Sequence, residues 1–325
     1  MRLSSTLLPL LPLLFVFQSP SPPQQNSIRQ HYEAAESARR SGNLAAAETE
    51  YTAILVEGYG KLGKIYSAEK RYAEAVATLE AAARLNPASG EVLLDLSIAY
   101  FDAGQYGKAV EASGKAVALD PQSVGARHML GKSEFMLGEF SQAVTELETA
   151  LRLAPKDYDI AYTLGLAHLK QKELAPAREI YSTMLAQLGD RPQLRIIFGR
   201  AYRETGFLPE AVEEFKRAVA LDPHFPRAHY YLGLTYLLKD GAARLDDAAE
   251  EFKVELASNP EEFFANYYLG IIYVIQRKWE PSIALLEKAS RREPDNPDPY
   301  FHLGQAYQSL EQHEKAIAAL RKSIS

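Results

Sequence analysis

Small and apolar positions recur along this chain every 34 residues. Gly63, Ser97, Gly131, Gly165, Gly199, Gly233, Gly270 and Gly304 mark the period, with a single interval of 37. Three residues further on, most copies carry a ring (Tyr66, Tyr100, Tyr202, Tyr236, Tyr273 and Tyr307), while Glu134 and His168 occupy the same position in the other two. That spacing puts the small residue and the ring on one face of a first helix. A second small set follows after a turn: Ala75, Ala109, Ala143, Ala177, Ala211, Ala248, Ser282 and Ala316. Four residues beyond each stands Leu79, Ser113, Leu147, Tyr181, Phe215, Phe252, Leu286 or Leu320, which marks one face of a second helix. Gly42, Gly104, Gly138 and Gly206 fall in the turns between the helices, where glycine takes the left-handed backbone that ends a helix. Pro87, Pro121, Pro155, Pro223, Pro260 and Pro294 stop the second helix, because proline offers no N–H and pushes its predecessor out of helical geometry.

With the small residues in register, units begin at Ile28, Val56, Gly90, Val124, Tyr158, Pro192, Pro226, Phe263 and Pro297. About nine units result over residues 28–325, the first and last incomplete. Such a chain predicts an all-α solenoid, a stack of helical hairpins in which each buries its apolar face against the next. A stack of this kind offers a long surface for holding another molecule. Two places break the period. Asp240 to Asp247 lengthens one turn by three residues, which a surface loop absorbs cheaply. In the first unit only four residues separate Tyr51 from Val56, so either Gly58 and Gly60 break the chain abruptly or two helices fuse.

The repeated pattern, L-G-x-x-Y, then A-x-x-x-F, then P, resembles the tetratricopeptide repeat. Phe198-Gly199-Arg200-Ala201-Tyr202 with Ala211, Phe215 and Pro223, and Leu232-Gly233-Leu234-Thr235-Tyr236, carry it closely. The resemblance, to arrays of an exported bacterial type, covers residues 28–325. It departs from the pattern at three points: Trp279 falls in an interhelix turn rather than at the signature position, Ser97 replaces glycine, and Gly189 stands where proline would. The resemblance implies a superhelix of tandem helix-turn-helix repeats whose first helices line a concave groove. Carried onto this sequence, the groove positions give Phe101, Phe135, Tyr162, Arg200, Arg203, Tyr230, Leu234, Phe264, Tyr267 and Ile271 as candidate partner-binding residues. The wall is apolar and aromatic, with Tyr230 and Tyr267 as exposed anchors. Arg200 and Arg203 stand one turn apart, where a carboxylate could pair with them. The family's clamp for a C-terminal carboxylate needs Lys, Asn and Arg at groove positions that mostly hold Tyr, Leu and Ile here, which disfavours that partner class.

Composition narrows the function. The 325 residues are 47% hydrophobic and 24% charged, an ordered composition. A net charge of -6 and no dense run of Lys or Arg argue against nucleic acid. The chain has no cysteine, so packing alone must hold the fold. No H-E-x-x-H, G-x-S-x-G or Walker glycine loop occurs, so no catalytic residue, metal site or cofactor is expected. His168 and His229 are expected to pack between helices, and Glu213-Glu214 and Glu250-Glu251 to lie on solvated faces. Residues 1–27 read as a signal-like segment: Arg2, the apolar run Leu7 to Phe17 broken by Pro9 and Pro12, then a Pro/Gln-rich spacer. The run is shorter than the roughly 20 residues that span a bilayer. Export to the periplasm or cell envelope is the expectation, with an uncleaved anchor or an apolar tail as alternatives. At the other end, Ile317 and Ile324 match positions that are apolar in earlier units, which predicts a stripe on the last helix able to attract a second copy. The function expected is a non-catalytic scaffold that binds a peptide or protein surface. Two alternatives stay open: an accessory or targeting subunit of an enzyme such as a glycosyltransferase or protease, and a structural component of cell-envelope or secretion assembly.

Overall fold

A computed structural model describes residues 27–324, so the signal-like segment lies outside the described residues apart from Ser27. The chain divides into two compact units, residues 1–121 and 122–325. The first holds α1 (Ser27–Arg40), α2 (Leu44–Ala68), α3 (Tyr72–Leu85), α4 (Gly90–Asp102) and α5 (Tyr106–Leu119). The second holds α6 (Val124–Leu137), α7 (Phe140–Leu153), α8 (Tyr158–Lys170), α9 (Leu174–Leu188), α10 (Pro192–Thr205), α11 (Leu208–Leu221), α12 (Ala228–Asp240), α13 (Leu245–Ser258), α14 (Phe263–Ile275), α15 (Trp279–Arg292), α16 (Pro297–Ser309) and α17 (His313–Lys322). Within each unit consecutive helices pack as neighbours, and no strand occurs among the described residues. The expected all-α solenoid of tandem helical hairpins is what the chain forms.

Local chemistry sets the helix ends. The side chains of Asn43, Ser89, Ser123, Asp157, Glu262 and Asn296 accept hydrogen bonds from N–H groups in the first turns of α2, α4, α6, α8, α14 and α16. The interhelix turns share one backbone position with positive φ. Gly42, Gly104, Gly138 and Gly206 fill it in four turns, and Lys70, Lys172, Arg277 and Glu311 fill it in four others.

The 34-residue period has a steric cause. A Cβ added to Gly63, Gly131, Gly165, Gly199, Gly270 or Gly304 would lie between 2.4 and 2.8 Å from Leu79, Leu147, Tyr181, Phe215, Leu286 or Leu320 respectively. In these six hairpins a large side chain of the second helix lies against bare backbone of the first. Phe198, Phe215, Phe252, Leu79, Leu147 and Leu286 are among the largest fully buried side chains. Ser97 is the exception, and the register accounts for it: the residue that would oppose it is the small Ser113. Both serines are fully buried, and each hydroxyl donates to a carbonyl of its own helix.

Three irregular places in the repeat resolve as follows. The short first unit is a fusion: α2 runs unbroken for 25 residues through Gly58 and Gly60. Within the lengthened turn the four residues Gly241–Arg244 form a 3-10 helix rather than an open loop. Trp279 is the first residue of α15, not part of the turn before it. Ile317 on α17 and Ile324 just past its end are exposed, while Leu320 is half-buried against Gly304.

Candidate functional site

Phe101 belongs to the first unit, where it sits on α4 edge-on to Tyr106, with ring centroids 5.2 Å apart. The other nine candidates lie in the second unit, on the first helices α6, α8, α10, α12 and α14. Phe135 is edge-on to Phe140 at 5.4 Å and stands apart from the rest. Tyr162 stacks on the buried Tyr181, with centroids 6.1 Å apart.

Across α10, α12 and α14 the candidates converge. The guanidinium of Arg203 lies 5.2 Å from the ring centroid of Tyr231, and that of Arg200 lies 5.9 Å from the same ring. Tyr231 touches Tyr230 at 5.1 Å, Tyr230 stacks on Phe264 at 5.4 Å, and Tyr268 links to Tyr267 at 5.2 Å. Tyr267 in turn stacks on Phe263 at 5.9 Å. Leu234 and Ile271 are half-buried on the same helices. The result is an aromatic surface edged by cations. Arg227 adds a third, 5.8 Å over the Phe264 ring and 3.3 Å from a carboxylate oxygen of Glu262.

The electrostatics follow from burial. Desolvation pushes the Tyr162 phenol up to about 12 and raises those of Tyr230, Tyr267 and Tyr268, so these rings stay neutral. At Tyr230 and Tyr268 the positive charge of Arg203 opposes that rise, which shows how closely its field reaches the cluster. Arg203 Nη1 is buried and has no hydrogen-bond partner among the described residues. Arg200 has a loose contact to Glu204, 3.9 Å away on its own helix. A guanidinium N–H left unsatisfied out of water is costly, and an incoming carboxylate relieves the cost.

Several expectations are corrected here. Tyr230 is buried rather than an exposed anchor, because rings from α12, α13 and α14 close around it. Glu214 and Glu251 do not lie on solvated faces: Glu214 pairs with Arg195 at 2.9 Å and Glu251 with His229 Nδ1 at 2.6 Å. Their neighbours Glu213 and Glu250 do face solvent, beside Lys216 and Lys253. His168 and His229 pack between helices as expected. The first bonds Glu173 at 2.8 Å, and the second bonds both Glu251 and the Pro223 carbonyl. Two residues of the surface were missed by sequence reasoning, Tyr231 and Tyr268. The signal was present as the tetrapeptide Tyr-Tyr-Leu-Gly, repeated at 230–233 and 267–270.

Elsewhere in the second unit a cleft of about 300 Å³ is lined by Arg178, Tyr181, Arg195, Tyr202, Glu210 and Glu214. Its charges satisfy one another, Arg195 with Asp190 and Glu214, and Arg178 with Glu210. Among the described residues no three His, Asp or Glu side chains are grouped to hold a metal ion. No described helix is long and apolar enough to cross a membrane.

Family models described as TPR repeat match residues 199–240 and 270–311. Models described as tetratricopeptide repeat match residues 128–192, 66–123, 100–151 and 300–325. Among solved structures, the chain is similar to a tetratricopeptide repeat protein from Parabacteroides merdae, at 15% identity and a TM-score of 0.55, over 78% of this chain and 98% of that one. It is also similar to the C-terminal part of a TPR repeat-containing protein from Cytophaga hutchinsonii, at 15% identity and a TM-score of 0.56, over 75% of this chain and 99% of that one. At such identities the likeness is one of fold. No curated protein matches the chain.

Proposed function

Because the chain belongs to the tetratricopeptide repeat family, whose repeats generally mediate protein–protein interaction, we propose that it is a non-catalytic scaffold holding a protein or peptide segment against α10, α12 and α14. One observation carries the reading: Arg203 presents a buried, unpartnered Nη1 within an aromatic surface, with Arg200 one turn away. The partner supplies an acidic side chain there, and an apolar stretch that lies on Phe264, Tyr267 and Tyr268. Burial in the partner's contact strengthens each charge-assisted bond, since competing water is excluded. The same proposal locates the scaffold in the periplasm or envelope, on the strength of the signal-like pattern from Arg2 to Ser27.

The test is affinity for a partner recovered from the native envelope, measured with Arg200→Ala, Arg203→Ala and Tyr267→Ala. Loss of a charged hydrogen bond costs about 1.5–3 kcal/mol, so Arg203→Ala weakens binding by roughly 10- to 150-fold. Both arginine variants also flatten the dependence on salt. Unchanged affinity in all three, with helicity intact, removes the site from this surface.

A further inference from the structure

The fusion in α2 leaves something uncovered. In other hairpins a first helix packs beside the second helix of the preceding hairpin, as α4 does on α3 and α8 on α7. In α2 that neighbour is the N-terminal half of the same helix, which lies in line with the C-terminal half and cannot cover its side. Antiparallel α1 covers the N-terminal half. It is held there by Glu36 to the Tyr51 hydroxyl at 2.5 Å, His31 to Glu50 at 2.7 Å, and Ser27 to Glu57 at 2.6 Å. Beyond Glu57 no described helix covers that side of α2.

The open side is apolar. Leu55 and Leu62 follow Tyr51 on one helical face, with Tyr59 and Ile65 flanking them. On α1, Tyr32 and Ile28 lie one and two turns from Glu36, on the side that meets Tyr51. These six side chains are each between 36% and 53% exposed. At 150–250 Å² for a large ring and somewhat less for Leu or Ile, the fractions leave roughly 500 Å² of apolar surface in water. That is near the upper end for the largest patch of a monomer, and enough for the centre of a standard interface of about 800 Å² per partner.

We propose that this patch is a two-fold dimer interface in which α2 packs against α2 of a second copy. Charge favours a second copy over a charged partner. The ions that rim the patch are already neutralised within the chain, Lys61 by Glu57 at 2.6 Å and Lys64 by Glu91 and Asp95 at 3.0 and 2.9 Å. A two-fold contact brings each patch against its own image, and a neutral rim avoids like-charge repulsion there. Backbone favours it too. Gly58 lies exposed within the patch, and a Cβ there would meet nothing within 4 Å, so the chain itself has no steric need for glycine at this point. A glycine in mid-helix costs stability, and here it lets two helix backbones approach within the usual 8–10 Å of close packing.

The test uses the full chain and needs no other protein. Sedimentation velocity over rising concentration is expected to show a monomer–dimer equilibrium. Leu62→Glu and, separately, Ile65→Lys raise its dissociation constant at least tenfold, with unchanged helical circular dichroism because both side chains face water in the single copy. The chain has no cysteine, so Gly58→Cys introduces a single thiol. A short bis-maleimide is expected to convert that variant to a covalent dimer, and adding Leu62→Glu to prevent it. A chain that stays monomeric at every concentration overturns the proposal. So does a dimer indifferent to both substitutions, or a photo-crosslinker at position 62 that captures residues 1–26 of the same chain instead of a second α2.

Discussion

Glu134 stands where six other units hold a tyrosine, and its environment shows what that exchange costs. At Tyr100 and Tyr307 the phenol donates to a glutamate of the preceding hairpin's second helix, Glu80 at 2.7 Å and Glu287 at 2.6 Å. Glu134 has no such outlet. Its Oε2 is buried without a hydrogen-bond partner among the described residues, and burial, aided by the charges of Glu146 on α7 and Glu139 in the turn, pushes its carboxyl up to about 7. Glu146 is itself held by Arg127 at 2.5 Å. Since the folded-state value lies above the unfolded one, the folded chain binds this proton more tightly. The carboxyl therefore costs nothing below the unfolded value, and the cost grows as pH rises until it is complete above about 7. Glu134→Gln should raise the unfolding free energy read from urea titration near pH 8 by on the order of 1–3 kcal/mol, with the gain shrinking toward pH 5. A gain of equal size at both pH values would remove the titration from the account. The sequence marked Glu134 as an exception but not as a buried one, because period reveals position and not the partner across the helix pair. The same limit hid the ion pairs. His31–Glu50, Arg127–Glu146 and Arg195–Glu214 each span 19 residues at one position of the repeat, and His229–Glu251 spans 22 across the lengthened turn. Read along the chain these are scattered charges; read across a hairpin they are one recurring contact.

At the scale of the element, the turns show where glycine was replaced at a cost. Lys70, Lys172, Arg277 and Glu311 hold the left-handed backbone that Gly42, Gly104, Gly138 and Gly206 hold elsewhere. A non-glycine residue there costs roughly 1–2 kcal/mol, of which glycine recovers part after its own larger entropy loss. Lys172 has compensation, since its Nζ donates to the Thr205 carbonyl at 2.6 Å and lies 5.4 Å from the Phe207 ring centroid. Arg277 is exposed. Arg277→Gly is therefore expected to stabilise the fold by about 0.5–1 kcal/mol, while Lys172→Gly gains less or loses. Thermal unfolding of the two variants checks the order, and a destabilised Arg277→Gly would contradict it. The turn glycines were legible in the sequence because the chemistry of a left-handed position is local. The fusion of α2 was legible only as a shortened interval, since whether the chain bends at Gly58 and Gly60 depends on what α1 and α3 pack against, and that is not local.

For the whole molecule, the legible part was the hairpin period, and its physical basis predicts how strain should spread. Gly199 and Phe215 are one of the interlocking pairs: a Cβ at 199 would come within 2.6 Å of a Phe215 ring atom, and Phe215 is fully buried. Gly199→Ala should then destabilise the chain although alanine is the better helix former by about 1 kcal/mol. Phe215→Ala alone should cost on the order of 3–5 kcal/mol through the cavity it leaves. In the Phe215→Ala background the obstacle is gone, so Gly199→Ala should change sign and become neutral or stabilising. Ser97 and Ser113 show that a hairpin of this fold closes with a small residue on each side. In a stack whose stability is close to a sum over units and their contacts, the damage from Phe215→Ala should stay near α9 to α12. Hydrogen exchange followed by mass spectrometry is expected to show lost protection there, with α3, α4, α16 and α17 unchanged. Equal loss along the entire chain, or a double variant worse than the sum of the singles, would mean that the two side chains do not meet as an interlocked pair and that the stack unfolds as a single cooperative body.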